Sequence, residues 1–147
     1  MVMTDIVDST RLWSLHAQAM ADDLETHDRT VKSIVGVWGG SVFKHTGDGV
    51  LAMFSDPFAE VAAAAAIQRT IAEVHWRNPV GLRLRAAVNT GTVVERDGDV
   101  FGTPVNRVAR LLQLCPAGGV LVGDATASLE RAIALALSAL DQHYPPG

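Results

Sequence analysis

This sequence has little that would tie it to a disulfide framework, a nucleic acid or a membrane. Its single cysteine, Cys115, has no partner for a disulfide within the chain. Twelve basic and 16 acidic residues give a formal net charge of −4, so no excess of positive charge favours nucleic acid or anionic lipid. No apolar run approaches the length of a membrane span, and the N-terminus lacks a signal-peptide pattern. We therefore expect a cytoplasmic protein with no membrane segment and no nucleic-acid partner.

The rest of the composition is typical of one globular domain. The chain has 147 residues, of which 48% are hydrophobic and 19% are charged, and this length is sufficient to bury a core. We expect the domain to occupy residues 1–130. Residues 131–147 are expected to complete a helix and to end in a disordered tail, because they close with Tyr-Pro-Pro-Gly.

Residues 42–54 predict a β-hairpin. Their apolar and β-branched residues favour strands, and Gly47-Asp48-Gly49 supplies the tight turn. No bulky neighbour in the turn shields the Asp48 carboxylate, so this carboxylate is suited to bind a cation. An aspartate that merely forms the turn is the alternative interpretation.

The order of predicted elements indicates an α+β fold. The pattern reads as strand, helix, strand, strand, helix, strand, which is the ferredoxin-like βαββαβ plan: an antiparallel sheet with helices on one face. Helices are predicted from about residue 9 to 38 and from 57 to 76. Beyond the plan, we expect a polar loop at 96–99, a third helix after Pro104 and a strand at 120–122. The plan is expected to place the first strand beside the second and third.

Asp5 stands in an otherwise apolar strand that begins almost at residue 1. A buried, unpaired carboxylate is costly, so this side chain should reach solvent or meet a cation. In the ferredoxin-like plan Asp5 can approach Asp48, and two adjacent carboxylates suit a hard, oxygen-seeking ion such as Mg²⁺ or Mn²⁺. The alternative interpretation is that Asp5 and Asp48 are two unrelated acidic residues at the surface.

The third predicted helix carries Asn106 and Arg110 four residues apart, and therefore on one face. An amide and a permanent cation at this spacing suit the stabilisation of developing charge on a phosphoryl group. The alternative interpretation is that both residues simply lie on a solvent-exposed helix face with no role in catalysis.

Taken together, these residues resemble the class III nucleotidyl cyclases. The resemblance runs from the first strand to about Leu129. The matching segments are TDIVDST (4–10), FKHTGDG (43–49), Arg85 with VNTG (88–91), DVFG (99–102) and VNRVAR (105–110).

The resemblance implies a role for each matching residue. Two Mg²⁺ or Mn²⁺ ions would be bound by Asp5, Asp48 and the Ile6 carbonyl, and phosphates by Arg85 and by the turn made of Val7, Asp8, Ser9 and Thr10. Lys44 and Asp99 would read the purine, Asn106 would lie near the ribose and Arg110 on the phosphate. In this family the sites form between two catalytic domains, which implies a homodimer with shared active sites.

Base chemistry adds an argument for ATP as the substrate. Adenine presents an acceptor at N1 and a donor at its 6-amino group, which complement a donating Lys44 and an accepting Asp99. Guanine presents the reverse pattern and would leave both side chains mispaired. The expected reaction is that of an adenylate cyclase, a lyase that converts ATP to 3′,5′-cyclic AMP and pyrophosphate for signal transduction.

Three departures from the family pattern keep a second hypothesis open. Asp8 stands where a small residue is common, and Asn89 replaces a frequent histidine. Nothing after Leu129 resembles the family's last strand pair, so we expect that pair to be missing. The alternative is a non-catalytic nucleotide-binding or regulatory module with the same fold.

Overall fold

The computed structural model describes residues 1–131 and residue 134. Its strands and helices alternate as the sequence predicts. In chain order they are β1 (Val2–Ile6), α1 (Ser9–Val37), β2 (Ser41–Thr46), β3 (Gly49–Met53), α2 (Pro57–Glu73), β4 (Leu84–Val88), β5 (Val94–Arg96), β6 (Asp99–Phe101), α3 (Thr103–Leu114) and β7 (Val120–Val122). Residues 124–131 are again helical. The expectations for residues 132–147, namely the helix end, the disordered tail and the missing strand pair, lie essentially outside the described residues.

The main sheet has the order β2-β3-β1-β4-β7. Strand β1 is central and runs antiparallel to both β3 and β4, which confirms the α+β, ferredoxin-like plan. Two details differ from the expectation. Strand β2 does not touch β1, because β3 lies between them, and β7 joins β4 in parallel, so the sheet is mixed.

The two faces of the sheet are covered differently. Because side chains alternate along a strand, Val2 and Ile6 of β1 face one way and Met3 and Asp5 the other. Helices α1 and α2 pack on the Val2 face and form the larger core there. Helix α3 and the β5–β6 hairpin pack on the Met3 face, with Val108 in that core. The expectation of helices on one face therefore holds for α1 and α2, while α3 covers the opposite face.

Residues 96–99, predicted as a polar loop, instead form the turn of a hairpin between β5 and β6. Asp97 and Gly98 both have positive φ, at 53° and 74°. This conformation matches the twist of the flanking strands, and Asp-Gly is a preferred sequence for it. The hairpin carries Asp99 at the start of β6.

Within the described part of the chain, no helix is both long enough and apolar enough to cross a membrane.

Candidate active site

Asp5 and Asp48 line the same open groove, of about 800 Å³, at one end of the sheet. Strand β3 pairs with β1 so that Val50 lies opposite Thr4, which brings the turn before β3 to the end of β1. Ile6 also lines this groove. The two aspartates thus come together although 43 residues separate them in the sequence, as expected.

Gly49 makes this approach possible. A Cβ atom at this position would lie 1.8 Å from the carbonyl oxygen of Thr4, far inside van der Waals contact. The backbone of the turn therefore sits directly against β1, at the residue that precedes Asp5. Only glycine allows this separation, and the position of the Asp48 carboxylate depends on it.

The start of α1 forms another wall of the groove. Asp8, Ser9, Thr10 and Arg11 all line it. Asp8 occupies the N-cap position with a left-handed backbone (φ 56°), yet its side chain makes no capping hydrogen bond. The first amides of a helix lack partners within the helix and attract anions. The wall therefore combines helix N-terminal amides, which favour anions, with the carboxylate of Asp8, which does not.

Val7 differs from its neighbours. Its N–H donates to the carbonyl oxygen of Arg83 at 2.9 Å, and Val7 lines an adjacent cavity rather than the groove. Of the four residues of the predicted phosphate turn, the structure brings Asp8, Ser9 and Thr10 to the groove.

Arg85 pairs directly with Asp5. The two residues lie opposite each other in the β1–β4 register. Arg85 Nε donates to Asp5 Oδ1 at 2.9 Å, and Nη2 donates to Oδ2 at 2.5 Å. These hydrogen bonds, with the charge of Asp5, raise the pKa of Arg85 against the opposing effect of burial. The cation expected near Asp5 is, in this structure, Arg85.

Lys44 and Asp99 also meet. Lys44 Nζ donates to Asp99 Oδ1 at 2.6 Å, and the same oxygen accepts from the N–H of Val100 at 2.8 Å. The hydrogen bond from Lys44 lowers the pKa of Asp99, with a further contribution from Val100. Both side chains remain about two-fifths exposed, so the pair is accessible to a ligand.

A bulge in β2 directs Lys44 to that partner. Val42 pairs with Ala52, but Lys44, two residues later, pairs with Leu51, so Phe43 is the extra residue. Without the bulge, Lys44 would lie opposite Val50 and share the α1 face of the sheet. With it, Lys44 shares the face of Leu51, where the β5–β6 hairpin packs.

Asn106 and Arg110 lie on α3 and are exposed. The inner side of this helix is formed by Val108 and Leu112, which are buried against the sheet. Arg110 lines a separate cavity with Asn89, whose amide donates to the Pro104 carbonyl. Neither Asn106 nor Arg110 lines the groove of Asp5 and Asp48, and neither do Lys44 and Asp99.

Two relatives of known sequence carry cyclase names. The chain is 40% identical over 96 residues to "Putative adenylate cyclase 3" of Rhizobium meliloti, an alignment that covers 64% of this chain and 16% of the relative. It is 34% identical over 124 residues to "Adenylate cyclase" of Streptomyces coelicolor, covering 84% of this chain and 32% of the relative. This chain therefore spans less than half the length of these relatives. No protein-family model matches it.

Solved structures agree with the fold. An adenylate/guanylate cyclase/hydrolase from Silicibacter pomeroyi superposes with a TM-score of 0.78 at 27% identity, over 89% of this chain and 78% of that one. An adenylate cyclase from Trypanosoma brucei, in its monomeric state, has a TM-score of 0.81 at 24% identity over 86% and 72% of the two chains, and supports the fold alone. This chain belongs to the class III nucleotidyl cyclase domains.

The groove of this cyclase domain has the donor chemistry for a hard divalent cation. Asp5, Asp48 and Ile6 all line it, and carboxylate and backbone carbonyl oxygens are the donors that such cations prefer. Among the described residues, no cluster of three or more His, Cys, Asp or Glu side chains could hold a metal ion. A cation here would need further oxygens from water or from a bound phosphate, as is usual for Mg²⁺.

Sequence reasoning missed two features of the cyclase groove. Arg11 lines it beside Ser9 and Thr10, and so places a cation next to the helix N-terminus. Its position in the first turn of α1, directly after the predicted phosphate turn, could have identified it as a residue of the site. The pairing of Arg85 with Asp5 was also missed, and it depends on the register between β1 and β4, which the sequence does not reveal.

Proposed function

We propose that this domain is an adenylate cyclase that converts ATP to 3′,5′-cyclic AMP and pyrophosphate at sites shared between two copies of the chain. The observation that carries the proposal is the joint groove of Asp5 and Asp48 beside the N-terminus of α1. It combines oxygen ligands for divalent cations with backbone amides for phosphate, as the triphosphate of a metal-bound nucleotide requires.

The separation of the remaining polar residues supports the shared site. Lys44 pairs with Asp99, away from the groove of the two aspartates, and Asn106 and Arg110 face solvent on α3. A second copy, related by a two-fold axis, can bring one set against the other and so create two equivalent sites. Each site would then take its aspartates from one chain and its base-reading and α3 residues from the other.

Each residue has a defined task in this proposal. When bound at Asp5, Asp48 and Ile6, Mg²⁺ or Mn²⁺ would supply Lewis acidity for the 3′-hydroxyl and neutralise the triphosphate. Arg110 stabilises the charge that develops on the reacting phosphoryl group, and Asn106 orients the ribose. Lys44 donates to adenine N1, and Asp99 accepts from the 6-amino group.

The test is incubation of the purified protein with ATP and either Mn²⁺ or Mg²⁺, followed by identification of the product by mass spectrometry. We expect cyclic AMP and pyrophosphate in equal amounts. Asp48→Ala should lower the rate by on the order of a hundredfold or more, because it misplaces the metal. Glu25→Ala, an exposed acid on α1, is the matched control and should keep the wild-type rate.

The carboxylate of Asp8 favours a second candidate, a nucleotide-binding module with little turnover. Asp8 lines the groove, and its side chain makes no capping hydrogen bond to α1. Its carboxylate therefore adds negative charge next to the expected phosphate position. In that case ATP should bind and be recovered intact with either metal. Asp8→Gly, which also relieves the left-handed backbone, should then raise turnover.

A further inference from the structure

Arg85 covers both carboxylate oxygens of Asp5. The two hydrogen bonds, at 2.9 and 2.5 Å, come from different nitrogens of one guanidinium and form a two-point pair. Both side chains are partly shielded, with 31% of Arg85 and 22% of Asp5 exposed. The residues are also direct cross-strand neighbours on the two central strands, so the backbone holds them together.

The same two oxygens are the ones that a divalent cation would use. Arg85 lines the groove together with Asp5 and Asp48, and its charge therefore lies where a metal ion must enter. A metal ion on the same carboxylate would lie close to the guanidinium, and the two positive charges would repel each other. Metal binding at Asp5 is therefore favoured when Arg85 leaves that carboxylate.

A triphosphate in the groove would give Arg85 another partner. Guanidinium groups bind phosphate oxygens in the same two-point manner as carboxylates. The nucleotide would thus draw Arg85 off Asp5 and bring its own oxygens to the metal.

We propose that Arg85 is a built-in competitor for the metal, which keeps Asp5 occupied until a nucleotide arrives and so makes metal and nucleotide binding mutually dependent. This inference rests on the proposed function, since it takes Asp5 as a metal ligand. It adds that the nucleotide-free domain binds metal weakly because of Arg85. By linkage, the factor by which nucleotide tightens metal binding equals the factor by which metal tightens nucleotide binding.

The first experiment measures Mn²⁺ binding to the nucleotide-free protein from the electron paramagnetic resonance signal of free Mn²⁺. Arg85→Gln removes a positive charge that lies next to the expected metal position, so we expect it to tighten Mn²⁺ binding by about tenfold or more. Arg83→Gln removes the same charge from an exposed residue two positions away and should change the affinity by no more than about twofold. Adding Asp5→Asn to Arg85→Gln should abolish the gain.

The second experiment repeats the titration with a 3′-deoxy analogue of ATP, which cannot cyclise. In the wild type the analogue should tighten Mn²⁺ binding strongly. In Arg85→Gln this coupling should shrink by about tenfold or more, because the competitor is absent. If Arg85→Gln does not fold, Arg85→Lys serves instead, since a lysine keeps the charge without the two-point geometry and should give an intermediate affinity.

The outcomes separate this inference from the function on which it rests. Equal Mn²⁺ affinity in the wild type and Arg85→Gln, with binding that still needs Asp5, overturns the competition and leaves the metal site intact. If neither the wild type nor any of the variants binds Mn²⁺, with or without the analogue, the assignment of the metal site is wrong and both proposals are contradicted. Tighter binding in Arg85→Gln than in Arg83→Gln supports the competition.

Discussion

Lys44 Nζ lies 2.6 Å from Asp99 Oδ1, although 55 residues separate the two in the sequence. The pair needs the bulge at Phe43, which turns Lys44 to the correct face, and the Asp97-Gly98 turn, which starts β6 at Asp99. Two independent local irregularities thus place a donor and an acceptor side by side. The proposed function assigns this donor and this acceptor to the edge of adenine.

We predict that Lys44→Glu together with Asp99→Cys lowers the preference for ATP over GTP. Each mismatched hydrogen bond should cost roughly 1–3 kcal/mol, so the ratio of kcat/KM values should change by tens-fold or more. The control is Lys32→Glu with Glu95→Cys, which makes the same net change in charge at exposed positions. An unchanged ratio in a folded double variant would show that the pair does not read the base.

We predict that two inactive variants restore activity when they are mixed. Asp48→Ala and Arg110→Ala each break both sites of a homodimer, but a mixed dimer has one site with both lesions and one intact site. Free exchange makes about half of the dimers mixed, so about a quarter of wild-type activity should return at equal total protein. Subunit exchange is checked by fluorescence transfer between labelled chains. No recovery despite proven exchange would place the whole site within one chain.

We predict that Gly49→Ala disrupts the groove. The added Cβ meets the Thr4 carbonyl at 1.8 Å, so the turn must move away from β1 and take Asp48 with it. Urea unfolding should show a loss of about 1–3 kcal/mol, and Mn²⁺ binding should weaken. Gly36→Ala is the control, since a Cβ there meets nothing within 4 Å. Wild-type metal binding in Gly49→Ala would show that the tight approach is not needed.

We predict that His27 makes the protein less stable in mild acid. Burial lowers the pKa of His27, although the hydrogen bond and charge of Asp28 and the charge of Asp48 act in the opposite direction. The unfolded chain, with an ordinary histidine pKa of about 6.5, therefore binds a proton that the folded chain resists. Stability should fall as the pH drops below about 6.5, by roughly 1.4 kcal/mol per unit of pKa difference.

The measurement for His27 is the free energy of unfolding between pH 7.5 and 5. Its side chain is fully buried, and its Nε2 atom has no hydrogen-bond partner among the residues that the structure describes. His27→Leu should therefore reduce the slope of stability against pH, whereas His75→Leu, at an exposed position, should leave it unchanged. A wild-type slope in His27→Leu would mean that other groups cause the acid sensitivity.

The sequence was most informative where a local pattern determines structure. The apolar periodicity predicted the βαββαβ order, and the strand containing Asp5 was expected to meet the turn containing Asp48. These predictions need only the plan of the fold. The roles assigned to the site residues stay predictions.

The features that the sequence did not reveal depend on register. The bulge at Phe43 inserts one residue, which reverses the faces of Lys44 and His45, and hydrophobic alternation cannot detect such an insertion in a half-buried edge strand. The pairing of Arg85 with Asp5 likewise follows from which residues of β1 and β4 lie opposite each other. The Asp97-Gly98 hairpin is different, because Asp-Gly is a sequence signal for a hairpin turn. The sequence therefore contained the information for this hairpin, although only a polar loop was predicted.

The two aspartates of the groove lie on parts of the backbone that differ in hydrogen-bond support. Asp5 belongs to a strand that is hydrogen-bonded on both sides, where amide hydrogens exchange slowly, whereas Asp48 lies on the turn that leads from the edge strand β2. If the groove binds a metal as proposed, we expect the Asp48 turn to move in response to a change in ionic radius while Asp5 stays in place. Exchange of Mg²⁺ for the larger Mn²⁺ should alter the amide exchange of residues 46–49 and leave that of β1 unchanged.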